Sequence, residues 1–202
     1  MAFATPSQSQ TSIGAATTQG DVAMESNIAR STLGYDGAGV TVGVISDSYN
    51  NLGGAAKDVS MGDLPGAGNP DGFTTPVKVI EDLPNGGADE GRAILQIVHD
   101  VAPGAKLAFA TGDLGQADYA DNMEKMGSEG DKVILDDLGY SDEPFFQNGV
   151  IAQAVEKVAG EGVAYFSSAG NYGDDSYGQN PIQFIDYTKD GSAGSTKQLS
   201  SL

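Results

Sequence analysis

The amino-acid sequence predicts an α/β domain of three layers, a mostly parallel β-sheet with helices on both faces. Two observations predict it. Short β-branched runs, among them GVTVGVIS from Gly39 and KLAFATG from Lys106, alternate along the chain with stretches whose apolar residues recur at helical spacing. The strand-like runs are also apolar nearly throughout, the pattern of strands buried on both faces rather than one.

Taken in order, residues 1–20 are rich in Ser, Thr, Gln and Ala without periodicity and are read as a flexible leader, with 21–202 as one domain. GVTVGVIS is the first strand, and SDSYNN after it is a turn that leaves Asp47 at the strand's carboxyl end. Residues 52–76 are Gly/Pro-rich and read as a long loop, and VKVIED from Val77 as a second strand. ADEGRAILQIVHDVAPGA places Ala93, Ile94, Ile97, Val98 and Val101 on one helical stripe that stops at Pro103. KLAFATG is a strand, Ala117 to Met126 a helix, KVILDDLG a strand, Gly149 to Ala159 a helix and GVAYFSSAGN a strand. After Tyr172 the pattern dissolves into Gly, Asp, Asn and Ser around the short run QFIDY. An α/β sheet that stopped there would be short of strands.

Composition narrows the function. With 28 acidic and 10 basic residues among 202 the net charge is -18, which argues against nucleic-acid backbones and anionic membranes as partners. The chain contains no cysteine, so disulfides, thiolate catalysis and thiolate metal sites are excluded while the redox compartment stays open. No window approaches a membrane span, and the N-terminus has neither a basic region nor an apolar core of the kind an export signal requires.

In open parallel sheets ligands gather outside the carboxyl ends of the strands, where loops converge. Three polar clusters fall there, namely Ser46-Asp47-Ser48, Asp136-Asp137-Leu138-Gly139 and Ser167-Ser168-Ala169-Gly170-Asn171. These runs, in this order and with a helix opening on Glu90-Gly91 between the first two, resemble the ordered core of the subtilases over about residues 34–173. The resemblance implies a subtilisin-like fold with its C-terminal part missing from this chain, and a serine-type endopeptidase acting on polypeptides. In that family the first strand ends in the triad aspartate, matched by Asp47, and the next helix opens with His-Gly, matched by Glu90-Gly91. The Ala-Gly-Asn motif, matched by Ala169, Gly170 and Asn171, supplies the oxyanion asparagine. The segment matched by Asp137, Leu138 and Gly139 pairs its backbone with extended substrate.

Glutamate in place of histidine resembles the sedolisins, whose triad is Ser-Glu-Asp. A carboxylate can accept the serine proton if its pKa is raised or the working pH is low. Glu90 and Asp47 within hydrogen-bonding reach would share a proton, one of them titrating high. The chain departs from a plain sedolisin in two ways: Ala93 and Ile94 stand where a second carboxylate is expected one turn after the glutamate, and Asn171 stands where sedolisins have aspartate. Asp89 is a rival for the base. The family's Gly-Thr-Ser before an apolar helix has no match, since 31 residues follow Asn171 and Gly194-Ser195-Thr196 has no such helix behind it. The expectation is a chain cut before its nucleophile and inactive alone, from a protein that acts at the cell surface or outside the cell.

Blander roles compete for the same residues. An aspartate after a strand commonly caps a turn, acidic residues at a helix start suit its dipole, and Asn171 could take a left-handed turn beside Gly170. Asp136 and Asp137 could be a solvated pair, a metal site or an acidic lining of the substrate groove. The single histidine, His99, lies nine residues past Glu90, about 13 Å along a helix axis. Near the helix C-terminus it is expected to be structural or solvated. No cofactor is called for, and the acidic excess is compatible with calcium without the spaced ligands of a defined calcium site. Two other functions fit the sequence: a non-catalytic peptide-binding domain of the same fold, and an unrelated flavodoxin-like binding domain with an acidic pocket at the strand ends. The second gives no reason for SSAGN.

Overall fold

A computed structural model describes residues 18–144, 146–170, 183–185 and 196–198. The chain divides into two compact units, 1–168 and 169–202. In the first unit the strands β1 (Thr41–Ser46), β2 (Lys78–Glu81), β3 (Lys106–Thr111), β4 (Val133–Asp136) and β5 (Ala164–Ser167) form one sheet in the order β2-β3-β1-β4-β5. Every neighbouring pair in it is parallel. Its helices are α1 (Gln19–Ala23), α2 (Ser26–Leu33), α3 (Ala55–Met61), α4 (Glu90–Val101), α5 (Gln116–Glu129) and α6 (Val150–Gly160). In the second unit β6 (Gln183–Ile185) pairs with β7 (Thr196–Gln198) in antiparallel fashion.

The first unit has three layers because β1 is apolar on both faces. Val42 and Val44 join Leu95 of α4, Leu64, Val77, Leu107 and Phe109 in one core, whereas Ile45 joins Tyr119, Met123 and Met126 of α5 and Ile151, Ala154 and Val158 of α6 in the other. Alternate residues of one strand therefore feed two separate cores. Parallel strands also bring all their carboxyl ends to one edge. Asp47, Asp137 and Ser168 each follow directly after a strand, and β4 pairs with β1 through Ile45 and Asp136 and with β5 through Asp136 and Ser167.

Three stretches gain detail from the structure. The stretch 52–76 is not all loop, because α3 occupies Ala55–Met61; its C-terminal Gly62 adopts a left-handed φ of 88° and closes the helix after two turns. The boundary after residue 20 falls inside α1, whose start is tied down where the Thr18 backbone N–H donates to Asp100 Oδ2 at 2.7 Å. His99 takes the structural rather than the solvated of its two expected roles, and it is not a charged partner of its helix dipole. It is 0% exposed, packs edge-on against Phe73 and has no hydrogen bond on either ring nitrogen among the described residues. Burial lowers its pKa to about 4, against the smaller opposing pull of Asp71 and Asp63.

Candidate active site

The site is built by the turn after β1 and the start of α4, which are knitted together by two carboxylates. Asp47 accepts the backbone N–H of Glu90 on Oδ1 at 2.9 Å, that of Ser48 on Oδ1 at 2.5 Å and that of Ala88 on Oδ2. The Ala88 and Glu90 amides are orphans of the loop and first turn of α4, so a charge at the end of a strand caps a helix distant in sequence. The neighbouring Thr111 hydroxyl holds the Asp47 carbonyl at 2.7 Å.

Two glycines make the approach possible. A Cβ on Gly91 would collide with the Phe109 ring and stand 2.9 Å from the Ser48 carbonyl oxygen, so only glycine lets α4 begin this close to the sheet. Gly87 has a φ of 80°, and a Cβ there would run into Ser48 and lie 3.1 Å from Asp47 Oδ2.

Asp89 is committed to structure. Its carboxylate accepts the Ser48 hydroxyl at 3.0 Å and the backbone N–H groups of Asn51 at 2.7 Å and Leu52 at 2.9 Å, and it pairs with the Arg92 guanidinium. The Ser48 hydroxyl in turn accepts the Asp89 N–H at 2.8 Å. Burial raises its pKa, but these donors outweigh burial and leave it below the ordinary carboxylate value. A buried carboxylate with four donors is a poor proton acceptor, which sets Asp89 apart from its rival. Glu90, one residue on, is exposed, and its side chain makes no hydrogen bond among the described residues.

Asp137 follows β4 and is half-buried. Burial pushes its carboxyl up to about 6, the adjacent Ser46 hydroxyl pulls the other way, and the negative charges of Glu90, Asp47 and Asp136 add to the rise. The sequence pointed to this residue for its backbone and left its carboxyl open between a solvated pair, a metal site and a groove lining; the fold sets it beside the charges of Glu90 and Asp47. A sheet register between β1 and β4, had it been known, would have shown the signal. Asp136, buried beside it, accepts the Ser167 hydroxyl at 2.7 Å and the Tyr165 hydroxyl, and its pKa is raised by burial despite bonds from Tyr119 and Ser167.

Leu138 is half-buried against the core of α5 and α6, and Gly139 is exposed. Both lie beyond the last β1–β4 pair, Ile45 with Asp136, so neither continues the ladder with β1. Ala169 and Gly170 belong to the second unit, where both are exposed and Gly170 has a φ of 71°. Asn171 lies outside the described residues. Among the described residues no group of three or more His, Cys, Asp or Glu is placed to hold a metal ion.

No known protein family's profile matches the chain, and no curated protein matches it. Among solved structures, the chain is similar to the crystal structure of MycP1 with the N-terminal propeptide removed, at 14% identity and a TM-score of 0.45. The alignment covers 88% of this chain and 56% of that one, so the chain spans little more than half the length of that structure.

Proposed function

We propose that the chain is the acidic half of a serine-type endopeptidase site, with Glu90 as general base, Asp47 holding it and a serine outside these residues as nucleophile. One observation carries this reading: the Asp47 carboxylate at the end of β1 accepts the backbone N–H of Glu90 at the start of α4. Two residues 43 apart in the chain are thus fixed at the crevice edge of the sheet, with the Glu90 carboxylate left free to the solvent side.

The chemistry is acyl transfer. The serine O–H proton passes to the Glu90 carboxylate as the oxygen bonds to the peptide carbonyl carbon, and the carbonyl π pair moves onto its oxygen. Asn171 would donate its amide to that oxyanion. When the pair returns, the C–N bond breaks, the amine leaves with the proton from Glu90, and an acyl-enzyme remains. Water repeats the two steps and restores the serine. Asp137, Leu138, Gly139, Ala169 and Gly170 would border the extended polypeptide. No cofactor enters these steps, and calcium, if bound, has no part in them. A base of this kind suits acid media, which fits action outside the cell. No helix among the described residues is long and apolar enough to cross a membrane.

A second reading has its own support: among the described residues every hydrogen bond to the Asp47 carboxylate comes from backbone N–H groups, which a non-catalytic peptide-binding domain of the same fold would equally need. One comparison separates them. This chain alone stays unmodified by a peptidyl phosphonate in intact-mass measurements, whereas the chain extended by a Gly-Thr-Ser-bearing helix is labelled and cleaves casein in acid. In the extended protein Glu90→Gln lowers kcat/KM by about 10²–10⁴-fold. Full activity in that variant overturns Glu90 as the base, and no cleavage by the extended protein favours the binding domain.

A further inference from the structure

Ser46 closes β1 at 0% exposure, and its hydroxyl has no hydrogen-bond partner among the described residues. Asp137 Oδ1 is buried and lacks one as well. Register explains why two unsatisfied groups meet. Ile45 pairs with Asp136, so the residues that follow, Ser46 at the end of β1 and Asp137 just past β4, stand side by side. The Ser46 hydroxyl lies against the Asp137 carboxyl without an aligned bond.

Asp47 and Glu90 both press their charge on Asp137, and the surroundings of the three carboxyls differ. Asp47 accepts three backbone N–H groups. Glu90 is exposed and solvated. Asp137 has a buried oxygen with no donor, and an ionised oxygen in that position would carry its desolvation cost uncompensated. Three negative charges so close are costly, and the proton belongs on the member that gains least from ionisation.

We propose that Asp137 is the proton-holding member of this group in acid, a neutral carboxyl that keeps a further negative charge away from Glu90 as Glu90 accepts the nucleophile's proton. Asp137 acts through Glu90 and is therefore a positioning residue, and the proposal rests on the reading of Glu90 as base. The groups that face it are Ser46 of β1, Asp47 just after that strand, Glu90 from α4, Asp136 on β4 and Tyr119 from α5. When Asp137 ionises, a negative charge is added beside Asp47 and Glu90 and opposes the negative charge that develops during acyl transfer.

The test is a carboxyl ¹³C titration of this chain with labelled Asp and Glu. Asp137 titrates near about 6, and in Glu90→Gln, where an exposed charge is removed at little risk to folding, its midpoint falls by about one unit. An Asp137 midpoint that Glu90→Gln does not move overturns the proposal. In the nucleophile-bearing extended protein, Asp137→Asn carries the alkaline limb of kcat/KM upward by about a unit or more; an unmoved limb overturns it too. If that protein cleaves nothing while Glu90→Gln still shifts Asp137, the peptidase reading falls and the carboxyl coupling stands.

Discussion

Asp131 sits at the turn between α5 and β4 at 4% exposure, with Oδ2 unpartnered among the described residues. Burial raises its pKa from 3.8 to about 6, Glu129 adds to the rise and Lys78 opposes it. A carboxyl whose folded pKa is raised binds its proton more tightly in the folded state. Its contribution to stability is fully present below about 3.8 and is lost as the pH climbs through about 6. Two units at about 1.4 kcal/mol each amount to about 3 kcal/mol. Asparagine has nearly the shape of the neutral acid and never ionises. Asp131→Asn is therefore expected to gain about 2–3 kcal/mol over the wild type near pH 7.5 and almost nothing near pH 4. Urea melts at both values, with equal m-values for the two proteins, measure the difference. Parallel stability curves for wild type and variant across that range would refute the reasoning, since they would mean that Asp131 ionises as freely when folded as when unfolded.

His99 works in the opposite direction. Its folded pKa of about 4 lies below the ordinary histidine value of 6.5, so the stability tied to its neutral form is intact above about 6.5 and drains away as the pH falls towards about 4, up to about 3 kcal/mol. His99→Leu should flatten that acid-side slope whatever its effect on absolute stability, and an unchanged slope in urea melts would exclude His99 as the cause. Gly91→Ala should cost about 1–3 kcal/mol by forcing α4 away from Phe109 and the Ser48 carbonyl, with amide shifts at Asp47, Ala88 and Glu90 in the NMR spectrum. A loss below about 0.5 kcal/mol would show that the helix start has room to spare.

Periodicity and order in the sequence determined the parallel α/β sheet, the placement of Asp47 just after β1 and the start of α4 at Glu90. Those features are local: alternation and apolar runs record which faces a strand buries, and Pro103 ends a helix whatever lies around it. α3 was hidden because its seven residues are flanked by glycines and carry too few apolar positions for a period to show. The difference between Asp89 and Glu90 could not be read either. Adjacent acids at a helix start look alike until the turn at 48–52 folds over one of them and supplies its donors. For His99 the deciding contact is Phe73, 26 residues earlier, and for Asp137 it is the β1–β4 register, which joins residues about 90 apart. The chemistry of a carboxyl or an imidazole is set by its desolvation and by the charges beside it. Those are properties of tertiary packing, so the sequence determined which titratable groups the crevice holds and only the fold decided which of them keeps its proton.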